Sequence, residues 1–172
     1  MNQTQDPALT PLMALGVLIG VILVLLGFVG LVILFGVTEI WAGFLFLLYW
    51  GGIHKLDMSE FPHAAVGSLF GLILVFLSHD LGPLVGLPTL TLPLFLCVIC
   101  VLVYFQILGK LHMFNNLAAM LFLTVGTIPL LADVSIIDIA KGVVLSILYF
   151  GAIGWLGATL AAKKKAKSAA DS

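Results

Sequence analysis

From Leu12 to Ile53 the chain meets one charged residue, Glu39. With so few polar side chains on offer, the backbone N–H and C=O groups of this run must bond to one another, and a helix does that within a single segment. The run is about twice the ~20 apolar residues that one membrane-spanning helix requires. Two helices therefore share it. Their seam falls at Gly36-Val37-Thr38, where a glycine and a capping threonine adjoin the acid.

The remainder of the chain has the same character. Of 172 residues, 62% are hydrophobic and 9% charged, whereas a soluble domain carries roughly a quarter of its residues as Asp, Glu, Lys or Arg. A soluble enzyme, a nucleic-acid binder and a disordered regulator are excluded, because the basic surface or solvating charge they need is missing. An all-α integral membrane protein is expected, with residues 1–172 as a single membrane domain. The apolar run after Thr10 is too long for a signal-peptide core and lacks a basic n-region, so it reads as a retained span. Cys97 and Cys100 have no other soft ligand near them in sequence and read as small buried packing residues.

Polar punctuation divides the chain into six spans. After the first two comes a connector, His54-Lys55-Leu56-Asp57-Met58-Ser59-Glu60, and Pro62 suits the first turn of a third helix that reaches about Ser78. His79-Asp80 with Gly82, Pro83, Gly86 and Pro88 makes a loop. A fourth span runs from Thr89 to Gly109 and a turn occupies Lys110 to Asn116. The fifth covers Leu117 to Leu131, interrupted at Gly126-Thr127-Ile128-Pro129, and the sixth runs from Asp138 to about Leu160. Residues 161–172 form a basic tail with Lys163, Lys164, Lys165 and Lys167. By the positive-inside rule that tail is cytoplasmic. Six spans put both termini there, with Lys55 and Lys110 in cytoplasmic connectors and Lys141 as the exception.

Sliding the sequence against itself by 76 positions aligns residues 38–72 with 114–148 and gives nine identities: Ala42, Leu45, Phe46, Leu47, Asp57, Ser59, Ala64, Leu69 and Leu72. Asp57-Met58-Ser59 falls over Asp133-Val134-Ser135 without a gap. Each unit, about 12–80 and 88–160, holds three spans. Three is odd, so the second unit enters from the opposite side and the fold is a 3+3 inverted repeat. The Asp-x-Ser pairs read individually as caps of the third helix of each unit.

The middle helix of each unit is the candidate site. Glu39 precedes one and Asn115-Asn116 precedes the other, and both helices are short, ending at Gly51-Gly52 or Gly126 to Pro129. Short, interrupted helices at corresponding places point to a substrate path. Glu39 is either an interfacial cap or a carboxylate within lipid, where a functional role is the default. His63 shares a stripe with Gly67, Gly71 and Ser78 and is the further candidate for that path. Gly67-x-x-x-Gly71 and Gly16-x-x-x-Gly20 allow close helix packing and point to a homo-oligomer. His54, Asp57, Glu60 and His63 recur every third residue, but on a helix they would spread over half its surface and Pro62 interrupts them. No metal site, cofactor or catalytic residue is expected. Trp41, Tyr49, Trp50, Tyr104 and Trp155 fit aromatic belts near span ends.

Through Trp41-Ala42-Gly43-Phe44, the Tyr49 to Gly52 stretch and Gly126-Thr127 ahead of an acidic turn and final span, about two thirds of the chain resembles the YcdZ-like family of small bacterial inner-membrane proteins. Glu39 departs from that family's pattern. The resemblance implies a bacterial inner-membrane location and six spans, and it carries over no site residue.

Two functions are compatible with these features. One is a small-solute channel or transporter whose path, lined by Glu39, Asn115, Asn116 and His63, lies between the two repeats. The other is a non-transporting scaffold or accessory subunit whose glycine faces pack against a partner. The expected partners are the lipid bilayer, a small-molecule solute and further copies of the chain, with no nucleic acid.

Overall fold

The computed structural model describes residues 11–84, 88–109, 113–114, 116–126, 128 and 134–170. These form six α-helices, and no strand occurs among the described residues: α1 (Pro11–Leu34), α2 (Ile40–Leu47), α3 (Phe61–Leu84), α4 (Thr91–Ile107), α5 (Leu117–Gly126) and α6 (Ile136–Ala170). The expected all-α class and helix order are found. Asn115, Lys110, Thr127, Pro129 and Asp133, which entered the expectations above, lie outside the described residues.

Several boundaries follow from local chemistry. Gly36, at φ +63°, ends the first helical segment, its N–H donating to the Ile33 carbonyl at 3.1 Å. Glycine takes that left-handed conformation without steric cost. Pro62 sits in the first turn of α3, where a missing N–H costs no hydrogen bond. Two ends differ from expectation. Helix α3 continues past His79 and Asp80, and through Gly82-Pro83, to Leu84, because a polar pair in mid-chain does not break a helix. Helix α6 continues through the lysines to Ala170, since alanine and lysine are both strong helix formers.

Two helical stretches, Pro11–Leu34 and Ile136–Lys163, are long and apolar enough to cross a membrane. The others fall short of the six full-length spans expected. Helix α2 runs on through a π-helical turn, Leu48–Ile53. The joined stretch Ile40–Ile53 and helix α5 rise only about 21 and 15 Å at 1.5 Å per residue, against a hydrocarbon layer of ~30 Å.

Helix α1 belongs to one compact unit, which ends at Gly36, and α2 to α6 belong to a second, which begins at Val37. Within the second unit, α2 packs on α6, α5 packs on α3, and α3 also contacts α4 and α6. The middle helix of each sequence repeat thus lies on the last helix of the other. Ala42 and Phe46 of α2 are fully buried, and so are their counterparts 76 positions on, Ala118 and Phe122 of α5. One core cluster stacks Phe46, Trp50 and Phe61, with the Trp50 and Phe61 rings 4.9 Å apart and edge to face. A second joins Leu74, Val75, Leu102 and Leu123.

Two sequence expectations are corrected by this packing. Helix α4 meets that second cluster through Phe95, Val98, Ile99 and Leu102, one helical stripe, so Cys97 and Cys100 fall on the other face and are exposed. Tyr49 and Trp50 are buried in the core, because the π-helical turn carries them inward. Large apolar side chains stand open elsewhere in this unit: Ile73 and Phe76 on α3, Leu96, Val101 and Ile107 on α4, Leu148, Leu156 and Leu160 on α6.

Candidate functional site

Both short helices begin at a polar residue, and each of these residues rests on a glycine of a long helix. Asn116 caps α5: its Oδ1 accepts from the Ala119 N–H at 3.1 Å, which satisfies one of the four amides left unpaired at a helix start. Its Nδ2 donates to the His63 carbonyl at the head of α3 and to the Met113 carbonyl. The side chain is buried, and the Cα of Gly67 lies against it with no room for a side-chain carbon. Glu39 occupies the cap position of α2 and makes no side-chain cap bond. Its carboxylate accepts from the Trp41 indole N–H at 2.6 Å. A Cβ on Gly142 of α6 would stand 2.6 Å from the Glu39 carbonyl oxygen. The two caps correspond in sequence position, offset by one residue, and each lies against a glycine, Asn116 through its side chain and Glu39 through its backbone carbonyl.

At the far end of α2 the chain builds a denser polar joint. In the π-helical turn Tyr49 and His54, five residues apart, come to 3.0 Å between Oη and Nε2. A wider turn brings positions i and i+5 together, where an α-helix aligns i and i+4. The connector then folds back through Lys55 and Leu56, both at positive φ (51° and 62°), a conformation that costs energy for any residue with a Cβ. It is held by the Asp57 N–H to the His54 carbonyl at 2.8 Å and by the Trp50 indole N–H to the Asp57 carbonyl at 2.8 Å. The Asp57 carboxylate accepts from the Ser59 N–H at 2.9 Å. Hydrogen bonds from Ser59, backbone and side chain, hold that carboxyl below the usual carboxylate range, with His54 adding a smaller effect.

This fold-back delivers Glu60 between two imidazoles. Its Oε2 lies 3.6 Å from His63 Nδ1 and 3.9 Å from His54 Nδ1. The Tyr49 hydroxyl in turn lies against the Ala118 backbone amide in the first turn of α5. Tyr49, His54, Glu60, His63 and Asn116 therefore form one chain of polar contacts from the connector to the start of α5.

Of the four expected path residues, His63 and Asn116 meet directly, Asn115 lies outside the described residues, and Glu39 stands at the opposite end of α2 from the joint. Tyr49, His54 and Glu60 were missed. The signal was the recurrence of His54, Asp57, Glu60 and His63, set aside on helical phase, but the stretch from His54 to Glu60 is a turn and 100° per residue does not apply to it. Among the described residues no three His, Cys, Asp or Glu side chains could hold a metal ion. The Gly67 and Gly71 face expected between copies is occupied within the chain, by Asn116, Ala119 and Phe122 of α5. No family model, curated protein or solved structure matches this chain.

Proposed function

We propose that this chain is a multi-pass membrane protein built as two inverted three-helix units, and that it moves a small solute along the seam where each short helix lies on the long helix of the other unit. The observation that carries this reading is the reciprocity of packing, α2 on α6 and α5 on α3, with a glycine beneath each polar cap. Short helices that begin at polar caps and stop before a full span are the parts from which intramembrane paths are made. The open apolar faces of α3, α4 and α6 fit a lipid surround, since a monomer in water rarely shows apolar patches of that extent. The bilayer is a bacterial inner membrane, both termini are cytoplasmic, and the chain assembles as a homo-oligomer.

The second reading, a scaffold or accessory subunit, is favoured by Asn116, whose amide group bonds to three backbone partners within the chain.

Cysteine labelling in intact and permeabilised cells tests the topology. Positions 57 and 167 should react from the cytoplasm and positions 80 and 133 from the other side. Labelling of 57 and 133 from one side rejects the inverted repeat. In liposomes screened with small neutral and weakly ionised solutes, Glu39→Gln should keep the fold and alter flux or its pH dependence. A reconstituted, folded protein that passes no solute in the screen leaves the scaffold reading in place.

A further inference from the structure

We propose that His54, Glu60 and His63 form a proton-binding latch that sets how firmly the connector before α3 holds the start of α5. One carboxylate oxygen is shared by two rings, with Nδ1 atoms at 3.6 and 3.9 Å, and each ring's residue reaches α5 by a separate arm. On one arm His54 Nε2 meets Tyr49 Oη at 3.0 Å, and that hydroxyl lies against the Ala118 amide. On the other the His63 carbonyl accepts from the Asn116 side chain, whose Oδ1 caps the Ala119 N–H. Both arms end in the first turn of one helix.

Imidazole is the side chain whose charge ordinarily changes between pH 5 and 8. The described groups that face the latch can be counted element by element. The π-helical turn brings Tyr49, the connector brings Asp57, and α3 brings His63 itself. Helix α5 brings the uncharged Asn116 and the Ala118 amide, and α6 brings Gly151 and Gly154 against Phe61, Met58 and Trp50. With both rings neutral, Glu60 and Asp57 leave the latch negatively charged. One proton on either ring reduces that charge and converts a ring-to-carboxylate contact into an ion pair. The latch tightens as pH falls through the imidazole range and loosens as it rises. Such a device serves a carrier and a scaffold alike, and its test needs no solute.

The test is amide hydrogen exchange on the full chain in detergent, corrected for the pH dependence of the chemical exchange step. Segments 54–64 and 116–120 should be more protected at about pH 5.5 than at about pH 8, by about two- to fivefold, the range a partly exposed ion pair supports. The difference should vanish in His54→Gln/His63→Gln and in Glu60→Gln, while protection along α4 keeps one value at both pH values. Equal protection of the wild-type segments at the two pH values overturns the latch, as does a pH effect that survives the double substitution. Should the double variant fail to fold, His54→Gln alone decides, because it leaves the Asn116 tie to the His63 backbone in place. A reduced pH effect supports the latch, since His63 still faces Glu60 at 3.6 Å, and full retention overturns it.

Discussion

The Cα of Gly67 lies directly against the side-chain amide of Asn116, so the cap of α5 and the body of α3 occupy one another's space. Any side chain at 67 displaces the cap from the Ala119 amide. Gly67→Ala should destabilise the protein by about 1–3 kcal/mol, the range for overpacking a close contact. Thermal melting in detergent checks this. Gly16→Ala, at a position with open space around the glycine, should leave the melting temperature unchanged or raise it slightly through helix propensity.

If the two caps are structural equivalents, Gly142 answers to Gly67. Gly142→Ala places a Cβ 2.6 Å from the Glu39 carbonyl oxygen, and backbone gives way less readily than a side chain. A loss of about 1–3 kcal/mol is expected here too. A melting temperature equal to wild type would show that the α2 and α6 contact does not share the tightness of its counterpart.

Asn116 does two tasks that substitution can separate. Asn116→Asp keeps an oxygen for the Ala119 N–H but loses the donor to the His63 carbonyl, whereas Asn116→Ala loses both. The alanine variant should cost about 0.5–2 kcal/mol for the cap and about 1–3 kcal/mol for a buried carbonyl without its donor. The aspartate variant keeps the cap but sets a carboxylate oxygen against the His63 carbonyl in a buried place, so it should lose at least as much as the alanine variant. Chemical denaturation with a helical circular dichroism readout ranks the three.

Asp57 predicts an acid limb. Its carboxyl is held below the usual range in the folded protein by the Ser59 bonds, so the ionised form is favoured more strongly in the folded state than in the unfolded one. The stabilisation this brings is present at neutral pH. It is lost as pH falls below about 4, through the folded value. Asp57→Asn keeps an oxygen for the Ser59 N–H and cannot titrate. Its stability should decline less than that of wild type between about pH 5 and pH 3, as measured by melting temperature across that interval.

What the sequence alone determined is what depends on near neighbours. An apolar run must form helix, Gly36 can turn left-handed where a side chain would be strained, Pro62 fits a first turn, and a polar residue at 39 or 116 can open a short helix. Each follows from interactions within about four residues. Tertiary structure decided where the polar groups meet. His54 and His63 reach one carboxylate because Lys55 and Leu56 adopt positive φ, which neither residue type announces, since both carry side chains that ordinarily avoid it. Cys97 and Cys100 face outward because the stripe of α4 that finds α3 is set by the shape of the facing helix. Asn116 gives its amide to the His63 carbonyl, 53 positions away, because a glycine on α3 lets α5 approach to hydrogen-bonding distance. Glu39 stays apart from all of these. One chain of contacts starts from the end of α2 and the other from its beginning, and the rise of the intervening helix keeps them apart.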